Sequence, residues 1–153
     1  MESFRWIVLS YFIGAIPSGY IIGKVFYHVD LKKTGSGNIG ATNAYRELGV
    51  VAGFSVFICD FLKGFIAVHL GMPDPLIVLA CAIAAIVGND WSIFLHFKSG
   101  KGVACGVGAF AYISAPAVLC AFAVWLLVFK AKHIVSLSSI IAAPVVALVL
   151  LIE

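Results

Sequence analysis

The stretch GVVAGFSVFICDFLKGFIAVHLG, residues 49–71, carries two charged side chains, Asp60 and Lys63, in an otherwise apolar run. A helix needs about 20 mainly apolar residues to cross roughly 30 Å of hydrocarbon, so this run reads as one membrane crossing. Trp6–Gly23, Leu76–Leu95 and Ile134–Ile152 fit the same length. The composition agrees. Of the 153 residues, 63% are hydrophobic and 11% charged, and the mean hydropathy is +1.12. Soluble domains average about 25% charged residues, a difference that a soluble core of this size cannot hide. The expected fold class is an all-α integral membrane protein, a polytopic helix bundle.

The first segment reads as a retained span rather than a signal peptide. Glu2 and Arg5 cancel before it, and no small-residue cleavage site follows. Val103–Phe129 is longer than one crossing needs, reaching about 40 Å as a single helix, and Ser114 and Pro116 interrupt it. Lysine and arginine gather on the cytoplasmic side of short loops. Lys24, Lys32, Lys33 and Arg46 lie in the 24–47 loop, Lys98 and Lys101 in the 96–101 loop, and no basic residue lies in the turn at 72–75. Lys130 and Lys132 join that basic face if 103–129 is a hairpin of two short helices. The expectation is about six membrane segments, with both chain ends on the opposite face.

Polar groups inside the spans mark positions of constraint. Pro17-Ser18-Gly19 is expected to break the first helix. Asp60 and Lys63, three apart on one helical face, are expected to pair, since an isolated charge at that depth costs about 2.5–3.5 kcal/mol. Asn89 and Asp90 stand near the inner end of the third span, placed to cap it or to line a cavity. Cys59, Cys81, Cys105 and Cys120 read as buried free thiols, with no spacing for a metal site or a disulfide framework.

Two loops carry anion-binding chemistry. GSGNIGATN, residues 35–43, contains GxGxxG in Gly35, Gly37 and Gly40, but no strand precedes it, which argues against a dinucleotide fold. Its glycines still let backbone N–H groups approach an anion. Asn38, Thr42 and Asn43 add neutral donors, and Arg46 offers a fork suited to phosphate. The alternative is a solvated turn with lysines beside it. FKSGKGVACGVG, residues 97–108, places Lys101 between Gly100 and Gly102. It is not an ATP loop, because Gly102 stands where a magnesium-binding serine or threonine belongs. Gly102, Gly106 and Gly108 would equally serve close helix packing. Charge placement puts both loops on one membrane face, which favours a shared phosphate site. His69 and Asp74 give an HxxxxD spacing, but the pair falls at the opposite turn and reads as non-catalytic.

GSGNIGATN with Arg46, DFLKGF at 60–65, GKGVA at 100–104 and VSLSS at 135–139, in this order, resemble the bacterial acyl-phosphate:glycerol-3-phosphate acyltransferases. The resemblance implies an inner-membrane, multi-pass enzyme with cytoplasmic active-site loops. Such an enzyme moves a fatty acyl group from acyl phosphate to the 1-hydroxyl of glycerol 3-phosphate, giving lysophosphatidic acid and phosphate in phospholipid synthesis. Its partners would be these two substrates and membrane lipid, with no cofactor, metal or nucleic acid. By position it implies Lys101, Arg46 and Ser36 as catalytic residues. Substrate binding would draw on Ser36, Gly37, Asn38, Gly40, Thr42, Asn43, Arg46, Gly100, Lys101, Gly102 and Ser136, with Asn38 and Asn43 shaping the first loop. The family has glycine and threonine where this chain has Ser99 and Cys105, and often histidine where Asn89 stands. It also continues into a further segment bearing a histidine and an asparagine. Residues 1–153 are accordingly expected to form a single transmembrane acyltransferase domain that is C-terminally incomplete. The competing readings are a transporter or exchanger of small phosphorylated metabolites, and an inactive fragment of the acyltransferase.

Overall fold

The computed structural model describes residues 2–152, and among them there is helix and no strand. The order is α1 (Glu2–Ala15), α2 (Ser18–Phe26), α3 (Ala41–Leu48), α4 (Val50–His69), α5 (Pro75–Asp90), a 3-10 turn (Ile93–Leu95), α6 (Val103–Ile113), α7 (Ala115–Lys132) and α8 (Val135–Leu150). Four stretches among the described residues are long and apolar enough to cross a membrane: Ser3–Phe26, Val50–His69, Pro75–Leu95 and Ala115–Lys132. Two further apolar helices are shorter. The 11 residues of α6 rise only about 16 Å, and α8 has 16 residues. The expected break in 103–129 falls at Ser114, but the two helices it creates are unequal, because α7 has the length of a full crossing.

The chain divides into two compact units, one ending at Ala109 and the other starting at Phe110. Within the first, α1 packs along α5, and α4 packs against both of them. Glycines set the closeness of these contacts. A Cβ on Gly14 would collide with the Ala85 carbonyl oxygen, and one on Gly88 with that of Tyr11, so α1 and α5 meet backbone to backbone. The same reciprocity joins α4 and α6, where Gly64 faces the Cys105 carbonyl and Gly108 faces that of Phe61. In lipid, where burying apolar surface gives helices little reason to associate, such close packing supplies the attraction.

The first span is broken where the sequence places Pro17. Proline has no N–H to donate and its ring obstructs the preceding turn, so α1 stops at Ala15 and α2 starts at Ser18. Carbonyls freed there need donors, because irregular backbone at this depth is tolerated only against protein or a cavity. Lys63 reaches across from α4 and donates to Ile16 O at 2.7 Å and Gly14 O at 3.4 Å. Ser92 Oγ donates to Ala15 O. Lys63 Nζ also pairs with Asp60 at 2.6 Å. The intramembrane ion pair is thus the device that satisfies the break.

In the second unit α7 packs on α8. Ser114 Oγ caps α7 by accepting from the Ala117 N–H at 3.1 Å, and Trp125 Nε1 donates to Ser139 Oγ at 3.2 Å. The cysteine expectation needs correcting. All four thiols are free, but Cys59 and Cys120 are exposed while Cys81 and Cys105 are buried. In a bilayer the outer face of a spanning helix is as apolar as the inner one, so an apolar neighbourhood in sequence does not imply burial in protein.

The pair makes a stability prediction. Lys63→Met strands Asp60 and the Gly14 carbonyl, leaves Ile16 O with the Ser18 N–H alone, and should cost about 3–5 kcal/mol, read as a large drop in the thermal midpoint in detergent. Adding Asp60→Leu should recover part of that loss. A single variant as stable as the parent would show that the break is satisfied by other means.

Candidate active site

The first glycine loop is laid onto the glycine face of α2. The Ile39 carbonyl oxygen occupies the space a Cβ on Gly19 would take, and Val29 N donates to Gly23 O at 2.9 Å. Fully buried Leu31 anchors the approach, in a cluster with Ile39, Ala44, Val56 and Leu95. Gly35 (φ 58°) and Gly37 (φ 71°) adopt left-handed backbone that a side chain would strain. The loop is held by Asn43, 3% exposed. Its Oδ1 accepts from the Ser36 N–H at 3.0 Å, and its Nδ2 donates to Thr34 O at 3.1 Å and Leu31 O at 3.3 Å. Asn38 Oδ1 accepts from the Gly40 N–H at 2.8 Å. Both asparagines bond to the backbone of the loop.

The expected 24–47 loop is shorter than its sequence suggested. Phe26 ends α2, and Gly40 is the N-cap of α3, whose eight residues end before Gly49 at φ 94°. Thr42 and Asn43 lie in its first turn and Arg46 in its last. Glycine on either side of a short amphipathic run was the available signal, outweighed by the run's brevity and polarity.

The second loop repeats the principle. Asn89, 7% exposed at the end of α5, accepts from the Gly102 N–H through Oδ1 at 3.3 Å and from the Gly100 N–H through its carbonyl at 3.0 Å. Gly102 takes φ 62°, and α6 begins at the next residue. Asn89 therefore clamps the glycine-lysine turn, a role that sequence spacing did not assign to it.

Both loops lie at one end of the first unit. Lys32 Nζ donates to Leu95 O at 3.3 Å, and Leu95 shares the cluster that buries Leu31 and Ile39. Lys24 is engaged by Asp30 at 3.7 Å. Ser36, Arg46 and Lys101 are exposed, and among the described residues no ion pair neutralises Arg46 or Lys101. Two unneutralised cations beside two glycine-rich loops suit a ligand of high negative charge. Ser136 belongs to the second unit, exposed in the first turn of α8. Asp74 of the HxxxxD spacing is the N-cap of α5, accepting from Leu76 N at 2.9 Å and Ile77 N at 3.4 Å.

Residues 4–153 match the glycerol-3-phosphate acyltransferase family. Among individual relatives, glycerol-3-phosphate acyltransferase 2 of Moorella thermoacetica is 44% identical over 91% of this chain and 73% of its own length. The glycerol-3-phosphate acyltransferase of Lacticaseibacillus casei is 45% identical, over 86% of this chain and 66% of its own. The crystal structure of PlsY, an integral membrane glycerol 3-phosphate acyltransferase, in its glycerol 3-phosphate form superposes with a TM-score of 0.94. It is 37% identical, covering 99% of this chain and 78% of that one. The chain belongs to the glycerol-3-phosphate acyltransferase family and is a multi-pass integral membrane protein.

Removing the Asn43 amide leaves the Ser36 N–H and the Leu31 carbonyl without their partner, and Thr34 O with the Gly37 N–H alone. Asn43→Ala should speed amide exchange at Ser36 and its neighbours by at least ~10-fold, the equivalent of about one lost hydrogen bond. Amides of α5 serve as the internal reference and should not change. Unaltered exchange in the loop would mean that the glycine turn holds its shape alone.

Proposed function

We propose that the protein transfers a fatty acyl group from acyl phosphate to the 1-hydroxyl of glycerol 3-phosphate, releasing lysophosphatidic acid and inorganic phosphate for phospholipid synthesis. The observation that carries this reading is the pair of asparagine-clamped glycine loops at one end of a membrane bundle. Each is a glycine backbone fixed beside an exposed cation, Arg46 on one side and Lys101 on the other. The bundle is that of the inner membrane, with these loops facing the cytoplasm, where the loop lysines and arginine stand by the positive-inside rule.

The chemistry asks mainly for positioning. The glycerol hydroxyl oxygen attacks the acyl carbonyl carbon, the ester bond forms, and the carbon–oxygen bond to phosphate breaks. The hydroxyl proton leaves with the departing phosphate. Acyl phosphate is an activated donor, so the larger demand is to hold two anions together and stabilise the one that leaves. Arg46 supplies a bidentate fork and Lys101 a point charge. Ser36, Gly37, Asn38, Gly40, Thr42 and Asn43 present and shape the first loop around one phosphate. Gly100 and Gly102 free the backbone around Lys101. Membrane lipid solvates the acyl chain, and the residues named need no cofactor for these steps. Residues 1–153 serve as one acyltransferase domain in this reading.

Purified protein given glycerol 3-phosphate should form lysophosphatidic acid from palmitoyl phosphate and not from palmitoyl-CoA. Arg46→Ala and Lys101→Ala should each lower turnover by at least ~100-fold, the loss typical of one preorganised donor. Use of palmitoyl-CoA, or near-normal turnover by both variants, would overturn the assignment.

A further inference from the structure

Among the described residues, one buried side-chain oxygen has no hydrogen-bond partner: Oδ1 of Asp90. Leaving a carboxylate oxygen buried and unpaired is costly, so native folds rarely keep one without a use. Asp30 and Asp60 are engaged with Lys24 and Lys63, and Asp74 caps α5. Asp90 has no such duty. It closes α5 directly after Asn89, the residue that clamps the second loop.

Its position narrows the possibilities. Oδ1 lies 2.8 Å from where a Cβ on Gly102 would stand, and Ile86 Cγ2 lies at 2.8 Å from the same point. The carboxylate is therefore packed on the glycine that follows Lys101. The residue as a whole is only half-buried, so its carboxylate borders the margin of the loop although Oδ1 itself is covered. A carboxylate there repels a phosphate and cannot serve as its ligand. It can serve the other end of the same molecule. Glycerol 3-phosphate, the acceptor in the reading above on which this inference rests, carries two hydroxyls beyond its phosphate, and hydroxyls need acceptors.

We infer that Asp90 accepts a hydrogen bond from a hydroxyl of the glycerol moiety, and is the residue by which the site selects a polyol phosphate over a phosphate without hydroxyls. The cations and loop amides grip the phosphate of either ligand. Only the hydroxylated one offers the Asp90 carboxylate a donor. Discrimination of this kind is strong because the wrong ligand leaves a polar group of the site unpaired.

The test is binding, measured by titration calorimetry on the intact protein in detergent. The ligands are glycerol 3-phosphate and n-propyl phosphate, which has the same carbon skeleton and no hydroxyl. The parent should prefer glycerol 3-phosphate by ~10- to 100-fold, the range for a hydrogen bond to a charged group. Asp90→Ala should bring that ratio to about threefold or less by weakening glycerol 3-phosphate alone. Asp90→Asn keeps the shape and a neutral acceptor, and should lower the ratio at least ~3-fold, so the test survives if the alanine variant fails to fold. A ratio unchanged in both variants, a parent without preference, or equal weakening of both ligands would overturn the inference. Because binding needs no turnover, absent acyl transfer with an intact binding ratio would count against the proposed function alone.

Discussion

The structure hangs on one ammonium group inside the membrane. Lys63 meets Asp60 and two backbone carbonyls at the point where Pro17 stops the first helix. Alone, either charge would be expelled from the bilayer interior. Together, with backbone oxygens completing the lysine's coordination, they allow an unwound turn that water would otherwise have to satisfy. The turn in turn sets where α2 begins, and the glycine face of α2 is the floor on which the first glycine loop rests, with the Ile39 carbonyl over Gly19. A defect at the break would thus reach the loop through α2.

A second principle governs the loops themselves. In the function proposed each holds a dianion, so its shape must be fixed without charged groups of the protein competing with the ligand. Neutral asparagine suits this need. Asn43 and Asn89 are nearly buried and fix one loop N–H each through the side-chain oxygen. An aspartate in either place would add a negative charge where the ligand's own charge must go. Full charges are kept for exposed Arg46 and Lys101, which add attraction without having to define the loop's shape.

The first three spans were legible in the sequence because crossing a bilayer imposes a length and a polarity that no soluble element shares, whereas the full-length helix at 115–132 was hidden within the run 103–129 and the crossing expected at 134–152 is a helix of 16 residues. The Pro17 break and the Asp60–Lys63 pairing were legible for a related reason, since such residues at that depth have few solutions. Three features were not. Eight-residue α3 is too short and polar for periodicity to announce it. The exposure of Cys59 and Cys120 was hidden because hydropathy does not distinguish a lipid-facing helix face from a buried one. The clamping role of Asn89 needs contacts across the turn at 91–102, which spacing cannot supply. Within the site, glycines and cations stood out as residue types, whereas the orphaned oxygen of Asp90 exists only in three dimensions.

The central claim is that the two clamped loops act as one anion site, and a double-mutant cycle on acyl transfer tests it most directly. Turnover by the Arg46→Ala, Lys101→Ala and doubly substituted proteins is compared with that of the parent at saturating acyl phosphate. Residues that act as a unit are strongly non-additive, so the double variant should lose no more than ~10-fold beyond the worse single one. A loss equal to the product of the two single effects would mean that the loops work independently, and would contradict the account.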